Sequence, residues 1–312
     1  MSGYAAVSVD LDEIDCYLAI HGLSDSDELG DAARHAVYDR ALPRLAALFD
    51  ELGIAATFFV IGRDLERASN REAVASLARN GHELGNHTMQ HRYDLVRQGR
   101  NSQLADVQAG AEAIEQACGT RPVGFRAPGY SMTDQLMDVL RESGVRYDSS
   151  VFPCPPYYFA KAAAMAGIAL RGRESHSILG PASVLRAPID PYRVGEHYHR
   201  PGEHGIVELP IGVTGMGTGY FPYIGTSVVM WGEGGARWLT RRMLGRPLVN
   251  LELHGIDLAD AQEDGLLPLA KHQPDLRRSR AEKEAALRAA LTTLRDAGYE
   301  FATLQTVATQ FG

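Results

Sequence analysis

The sequence predicts an α/β fold built on a parallel sheet, which is either open or closed into a barrel. Over residues 5–150, short apolar segments alternate with longer segments whose apolar residues recur at helical spacing. This β-α-β-α order is typical of parallel sheets. Residues 55–61 (AATFFVI) are almost wholly apolar, as a strand that is buried on both faces would be.

The individual elements follow from apolar spacing and from glycine. The first strand is expected at residues 5–9, and the first helix at residues 38–52, where apolar residues recur on one face until Gly53 ends the pattern. Side chains that directly follow parallel strands are expected to meet at one face. The further predicted elements are, in order, strand 55–61, helix 64–80, strand 82–85, helix 102–118, strand 123–126, helix 133–143, a strand entered from 144–147, helix 231–244, strand 248–253, helix 279–297, strand 301–304 and a short terminal helix.

Residues 152–235 interrupt this alternation of predicted strands and helices. The segment is rich in proline, glycine and tyrosine, as in 152–158 (FPCPPYY) and 215–223 (GMGTGYFPY). Loops of this length are usually functional or disordered, and the aromatic content argues against disorder. We expect substrate-shaping loops over the barrel mouth, with a structural subdomain as the alternative. No linker is recognisable, so residues 1–312 are expected to form a single catalytic domain with this insertion.

Composition and charge exclude some classes of function. The chain has 312 residues, a net charge of −8, 45% hydrophobic residues and 22% charged residues, as in ordinary globular proteins. The negative charge argues against a nucleic-acid partner. No apolar run approaches a membrane span, and no secretory signal is recognisable. The three cysteines show no metal or redox spacing, so a cytoplasmic location is expected.

Two histidines and two aspartates indicate a metal site. His87 and His91 are four residues apart, and on a helical turn their imidazoles would lie on one face. Asp10 and Asp12 end the first predicted strand. A carboxylate and two imidazoles can bind one divalent ion and leave a position open for water. The alternative is a pair of surface histidines on a polar turn.

Two further residues follow predicted strands and are expected at the same face. Arg126 is the last residue of strand 123–126, and His254 directly follows strand 248–253. A cation beside a carboxylate keeps it ionised as a general base, and a histidine can act as a general acid. Arg126 as a structural salt-bridge residue and His254 as a polar turn residue remain alternatives.

Four segments together resemble a known family. They are 8–12 (SVDLD), 86–91 (NHTMQH), 124–129 (GFRAPG) and 251–254 (LELH), in this order. They are similar to the motifs of the polysaccharide deacetylase superfamily, also called the NodB-homology or carbohydrate esterase family 4 fold. The resemblance covers about residues 5–150 and 248–311. It is strongest to a branch that contains cytoplasmic-type peptidoglycan deacetylase homologues and cofactor-independent allantoinases.

The resemblance implies a distorted (β/α) barrel and a role for each matching residue. The implied metal ligands are Asp12, His87 and His91. Asp10 would be the general base, and Arg126 would hold it in place. His254 would be the general acid, and the backbone amide of Gly129 would bind the oxyanion. The one-residue spacer between the aspartates leaves open that Asp10 and Asp12 exchange roles. Zinc suits this ligand set best, and cobalt, nickel or manganese would also bind.

The implied activity is metal-dependent removal of an acetyl or formyl group from an amino sugar. The amino sugar would be a small molecule or would be linked to a nucleotide or a lipid. The family's fourth motif, an Asp/Trp pair that supports the arginine and the acid, is not recognisable in this sequence. One alternative is a hydrolase of cyclic amides such as allantoin or imides. Another is a catalytically silent carbohydrate-binding module, although a binding module needs neither a base nor an acid.

Overall fold

The computed structural model describes residues 3–23, 29–203, 205–215, 217 and 219–311. Its strands form one curved sheet at the centre of the molecule. The strands are β1 Tyr4–Asp10, β2 Thr57–Val60, β3 Glu83–Asn86, β4 Gly124–Phe125, β5 Tyr147–Asp148, β6 Tyr192–Arg193, β7 Val207–Glu208, β8 Leu248–His254 and β9 Glu300–Phe301.

The strand order is β6-β7-β5-β4-β3-β2-β1-β8, and β9 pairs with the start of β1. Every pairing is parallel except β6 with β7. The expected distorted barrel is confirmed, and its ring is open, with β6 and β8 as the edge strands of the sheet. The gap is bridged by a hydrogen bond of 3.0 Å from the Gly212 N–H to the Asn250 carbonyl. The Asn250 side chain also donates to the carbonyls of Leu209 and Pro210 at 3.2 Å.

Helices surround this sheet, and the regular ones predicted from spacing are present. Gly53, with a φ of +59°, ends α3, and Ser279 and Glu282 form a capping box at the start of α11. The helices of the described residues are α1 Ile14–Ile20, α2 Asp31–Arg34, α3 Leu42–Leu52, α4 Ala68–Arg79, α5 Arg100–Cys118, α6 Asp134–Glu142, α7 Pro155–Leu170, α8 Gly225–Met230, α9 Gly232–Arg241, α10 Leu267–Ala270, α11 Arg280–Asp296 and α12 Leu304–Phe311. None of these described helices is both long and apolar enough to span a membrane.

The largest apolar core lies between the sheet and helices on its outer side. Val7, Phe58 and Leu251 from β1, β2 and β8 pack there with Leu45 of α3 and Leu287 of α11. All five side chains are fully buried. Full burial of such a side chain stabilises the fold by about 1.5–3 kcal/mol. This core fixes β1 against β2 and β8, and therefore fixes the strand ends that carry the candidate site.

Residues 152–235 are more regular than the sequence predicts. The segment begins with a helix of 16 residues, α7, and it supplies β6 and β7 to the sheet and α8 to the outer layer. The sequence of α7 (PPYYFAKAAAMAGIAL) is apolar on nearly all sides, so no amphipathic period marks it as a helix. The strands of the segment are two residues long and give no alternating pattern.

Candidate active site

The carboxyl ends of β1, β3, β4 and β8 carry the predicted site residues to one face of the sheet. Asp10 ends β1 and His254 ends β8, and the two are register partners on adjacent strands. His87 follows β3 and Arg126 follows β4 directly. The parallel register therefore places all four side chains in one region, as side chains at strand ends are expected to lie.

The two histidines converge through a tight turn, so the helical turn expected between them is wrong. Thr88 and His91 have positive φ values of 69° and 51°. The Thr88 N–H donates to Asn86 Oδ1 at 2.9 Å, and the His91 N–H donates to Thr88 Oγ1 at 3.0 Å. These bonds compensate for the strained backbone. The ring centroids of His87 and His91 end 4.8 Å apart.

The side chains of Asp12, His87 and His91 fit one divalent cation. Asp12 Oδ1 lies 3.3 Å from Nε2 of His87 and 3.3 Å from Nε2 of His91. Two ligand atoms at about 2.0–2.2 Å from a tetrahedral zinc ion are roughly 3.3–3.6 Å apart, which matches this spacing. Asp12 Oδ1 and His91 Nε2 are buried without a hydrogen-bond partner. A cation between them would satisfy both atoms.

Contacts behind the ligands set their charge and orientation. His87 Nδ1 lies 2.7 Å from the Arg126 carbonyl, so it carries the proton and leaves the Nε2 lone pair toward Asp12. Burial lowers the pKa of His91 to about 4, which keeps that imidazole neutral. Burial would raise the pKa of Asp12, but the neighbouring histidines outweigh it and hold the pKa below its ordinary value.

Cys16 offers an alternative ligand beside the same aspartate. Asp12, Cys16 and His91 present ligand atoms within 4.8 Å of one another. However, Cys16 Sγ contacts Nδ1 of His91 at 3.5 Å, whereas Nε2 of the same ring faces Asp12. Burial also raises the pKa of the Cys16 thiol well above its ordinary value. Cys16 therefore contacts the nitrogen of His91 that faces away from Asp12, and Asp12, His87 and His91 remain the predicted ligand set.

Arg126 holds Asp10 in place from the interior of the sheet. Its Nη1 donates to Asp10 Oδ1 at 2.7 Å, and its Nη2 donates to Ser8 Oγ at 2.9 Å and Ser149 Oγ at 2.8 Å. Burial would lower the pKa of Arg126, but Asp10 raises it above the ordinary value. Asp10 Oδ2 stays free of the arginine and lies 3.8 Å from His87 Nε2. Asp12 thus lies nearer to the histidines than Asp10, which supports Asp12 as the ligand and Asp10 as the base.

His254 has a carboxylate partner that the sequence reasoning missed. Glu252 Oε1 lies 2.8 Å from His254 Nδ1, and His254 Nε2 lies 3.9 Å from Asp12 Oδ2. Burial would lower the pKa of His254, but Glu252 outweighs it and raises the pKa well above the ordinary value. Glu252 therefore supports His254, and Ser149 supports Arg126. A carboxylate two positions before His254 in an otherwise apolar strand was the available signal.

A cavity of about 350 Å³ lies over these groups. Of the predicted residues, the cavity is lined by Asp10, Asp12, His87, Gly129 and His254. His91 lines the neighbouring cavity, and Arg126 is fully buried behind Asp10. Side chains absent from the sequence prediction form the walls, among them Tyr17, His21, Tyr93, Tyr130, Tyr157, Lys161, Ala164, Met165, Ile168, Ile224 and Ile256.

Comparison with known proteins finds similarity to one family. Residues 34–147 match the family model described as polysaccharide deacetylase. A peptidoglycan deacetylase of Helicobacter pylori is 28% identical over 156 residues, which are 49% of this chain and 52% of that protein. The matched segment is similar to the polysaccharide deacetylase superfamily. A peptidoglycan-N-acetylglucosamine deacetylase of Bacillus cereus is 32% identical over 103 residues, 33% of this chain and 46% of the relative. The chain thus spans about half the length of the curated relatives it matches.

Solved structures show the same fold over nearly the whole chain. A presumed polysaccharide deacetylase of Mycobacterium smegmatis has a TM-score of 0.63 at 23% identity, covering 99% of this chain and 90% of that chain. A CE4 family pseudoenzyme of Bacillus anthracis has a TM-score of 0.52 at 11% identity, covering 98% and 66%. The expected resemblance to polysaccharide deacetylases and the expected fold are confirmed, and the expected hydrolase of carbon–nitrogen bonds other than peptide bonds agrees with this resemblance.

Proposed function

We propose that the protein is a metal-dependent hydrolase that removes an acetyl or formyl group from the nitrogen of an amino sugar. The observation that carries the proposal is the Asp12 oxygen that faces Nε2 of both His87 and His91 at 3.3 Å. The names of the relatives, peptidoglycan deacetylases, support a sugar amide as substrate. Zinc is the proposed ion, and cobalt, nickel or manganese would suit the same ligands.

Each residue around the cavity supplies one part of amide hydrolysis. A bound divalent ion would acidify water and polarise the acyl oxygen. Asp10, fixed by Arg126, accepts the proton of the attacking water through its free oxygen. The backbone N–H of Gly129 is proposed to stabilise the developing oxyanion. His254, protonated beside Glu252, donates a proton to the leaving nitrogen, without which the C–N bond does not break.

The cavity itself favours a second candidate, a hydrolase of cyclic amides. A space of about 350 Å³ lies at the small end of the range for small-molecule sites, roughly 300–1,000 Å³. Its walls contain isoleucines, alanines and a methionine, which suit a compact ring better than a long glycan. A catalytically silent carbohydrate-binding module is the third candidate, because a pseudoenzyme shares the fold. The Asp10–Arg126 and His254–Glu252 pairs argue against it, since binding alone requires neither.

The test combines metal content with amine release. The zinc-loaded protein is assayed on N-acetylglucosamine and N-formylglucosamine derivatives and, in parallel, on hydantoin. We expect about one equivalent of metal in the wild type and in Asp10→Asn, and loss of metal in His87→Ala. Asp10→Asn should lose roughly 10²–10⁴-fold in rate, because the base is removed and the ligands stay.

Three results would contradict parts of this proposal. Equal metal content in the wild type and His87→Ala would reject the ligand assignment. Loss of metal in Asp10→Asn would make Asp10 a ligand instead of the base. Ring opening of hydantoin without amine release from any N-acyl sugar would replace the proposed function with the cyclic-amide candidate.

A further inference from the structure

Lys161 is a cation in the cavity that the proposed mechanism does not use. The chain has three lysines, Lys161, Lys271 and Lys283, among 31 basic residues. Lys161 lies on α7, and it is the one lysine or arginine among the described residues that line the cavity over Asp10 and Asp12. Its position on the wall of this cavity calls for a physical explanation.

The carboxylates around the cavity already have partners, and none of these carboxylates pairs with Lys161. Asp10 pairs with Arg126 at 2.7 Å, and Glu252 lies 2.8 Å from His254. Asp12 faces His87 and His91, as shown above. Among the ion pairs of the described residues, no carboxylate lies within 4.0 Å of Lys161. Its Nζ donates instead to the Gly129 carbonyl at 3.1 Å.

The surroundings of Lys161 make this charge costly without an anion. The cavity side of α7 presents Tyr157, Ala164, Met165 and Ile168, which offer the ammonium little solvation. Burial lowers the pKa of Lys161 to about 8, as expected for a cation without a counter-charge. An anion in such a partly desolvated place interacts with a cation far more strongly than in open water.

We propose that Lys161 binds an anionic group, a phosphate or a carboxylate, of a compact substrate whose amide lies at the metal site. The hydrogen bond to Gly129 places the ammonium next to the peptide unit proposed to bind the acyl oxygen, so amide and anion would lie on the same small molecule. The inference rests on the proposed function only in taking this cavity as the substrate site. Lys161 would then select anionic monomers over neutral sugars.

The first experiment measures the charge state of Lys161 directly. The lysines are dimethylated with ¹³C-formaldehyde, which preserves their charge, and the Lys161 signal is identified by its absence in Lys161→Arg. We expect inorganic phosphate or acetate to raise the measured pKa of Lys161 and shift its signal, with exposed Lys271 unchanged. A response to phosphate alone indicates a phosphorylated substrate, and a response to acetate alone a carboxylate. No response to either anion would overturn the proposal.

The second experiment measures selectivity in turnover. The probes are N-acetylglucosamine and its 6-phosphate, and the variants are Lys161→Met and the matched control Lys271→Met. We expect the wild type to prefer the phosphate, and Lys161→Met to lose that preference at least tenfold, through a much larger rise in KM for the phosphate than for the neutral sugar. Equal loss on both sugars would assign Lys161 a structural role and refute the proposal. If the wild type turns over neither sugar, the proposed function fails, and the lysine titration alone decides the anion site.

Discussion

At the scale of single residues, the acid of the candidate site depends on its neighbour two positions earlier. Glu252 is fully buried and lies on the same face of β8 as His254, since side chains alternate along a strand. A fully buried carboxylate without a counter-charge would be costly. The imidazolium of His254 supplies that charge, and Glu252 raises the pKa of His254. The pair thus keeps His254 in the proton-donating state at neutral pH.

This pairing predicts a shift in the pH profile of Glu252→Gln. Glu252 raises the pKa of His254, so removing its charge lowers that pKa, and the protonated acid is lost at a lower pH. The alkaline limb of kcat/KM for an N-acyl sugar should therefore move to lower pH, with activity near that of the wild type below the limb. Steady-state rates across the pH range measure the shift.

His254→Ala is the matched control for this prediction. It should remove the alkaline limb and cost roughly 10²–10⁴-fold on the amide, because the leaving nitrogen is no longer protonated. The rate of hydrolysis of an activated phenyl acetate should fall little, because this ester has a good leaving group. Equal losses on amide and ester, or an unmoved limb in Glu252→Gln, would show that His254 has a structural or metal-supporting role.

At the scale of elements, α7 decides the shape of the cavity. The helix is apolar along nearly its whole length, yet none of its residues is fully buried, and Phe159 and Leu170 are 64% and 89% exposed. Prolines at its first turn are compatible with helix initiation. One face of α7 covers the catalytic groups, and Lys161 fixes that face to the Gly129 carbonyl. The helix therefore forms one wall of the cavity, and we propose that it limits substrate size.

The wall predicts opposite results for two adjacent substitutions. Ala164 lines the cavity and Ala163 does not, although both are exposed on α7. Ala164→Trp should fill space next to the catalytic groups and raise KM at least tenfold, while Ala163→Trp should behave like the wild type. Both should unfold at nearly the wild-type temperature, since neither position is in the core. Similar kinetics in the two variants would show that α7 does not bound the substrate site.

At the scale of the whole molecule, the parallel register places two acids side by side inside the sheet. Asp148 of β5 and Glu208 of β7 are register partners, and both are fully buried. Burial raises the pKa of Asp148, and burial together with the nearby Asp148 raises that of Glu208 well above its ordinary value. The folded protein therefore retains a proton that the unfolded chain releases. The free energy of unfolding should fall as pH rises above the ordinary range of a glutamate.

Glu208→Gln should remove this pH-dependent cost. A glutamine donates to Asp148 at any pH, so the variant should be more stable than the wild type near pH 8, by on the order of 1–2 kcal/mol. Near pH 4.5 the difference should be much smaller, because Glu208 is protonated in the folded wild type and already about half protonated in the unfolded chain. Denaturant unfolding at the two pH values measures the difference. Glu112→Gln, on the exposed side of α5, is the control; a Glu208→Gln effect that does not depend on pH would contradict the argument.

The sequence by itself predicted the sheet, its regular helices and the residues at the strand ends. Apolar segments and glycine stops are local signals, and a parallel sheet necessarily brings its carboxyl ends to one face. Asp10, Asp12, His87, Arg126 and His254 could therefore be grouped without coordinates. Their chemical roles remain proposals, supported by the distances between them.

Only the tertiary structure decided what surrounds those residues. The turn that brings His87 and His91 together is not helical, because its bonds come from Asn86 and Thr88 and not from a local helical period. The apolar helix α7 carries no amphipathic signal, so its existence and its place over the cavity depend on packing. The pairing of Ser149 with Arg126 and the approach of Lys161 to Gly129 join residues far apart in the chain. Such contacts arise from strand register and helix docking, which the order of residues alone does not specify.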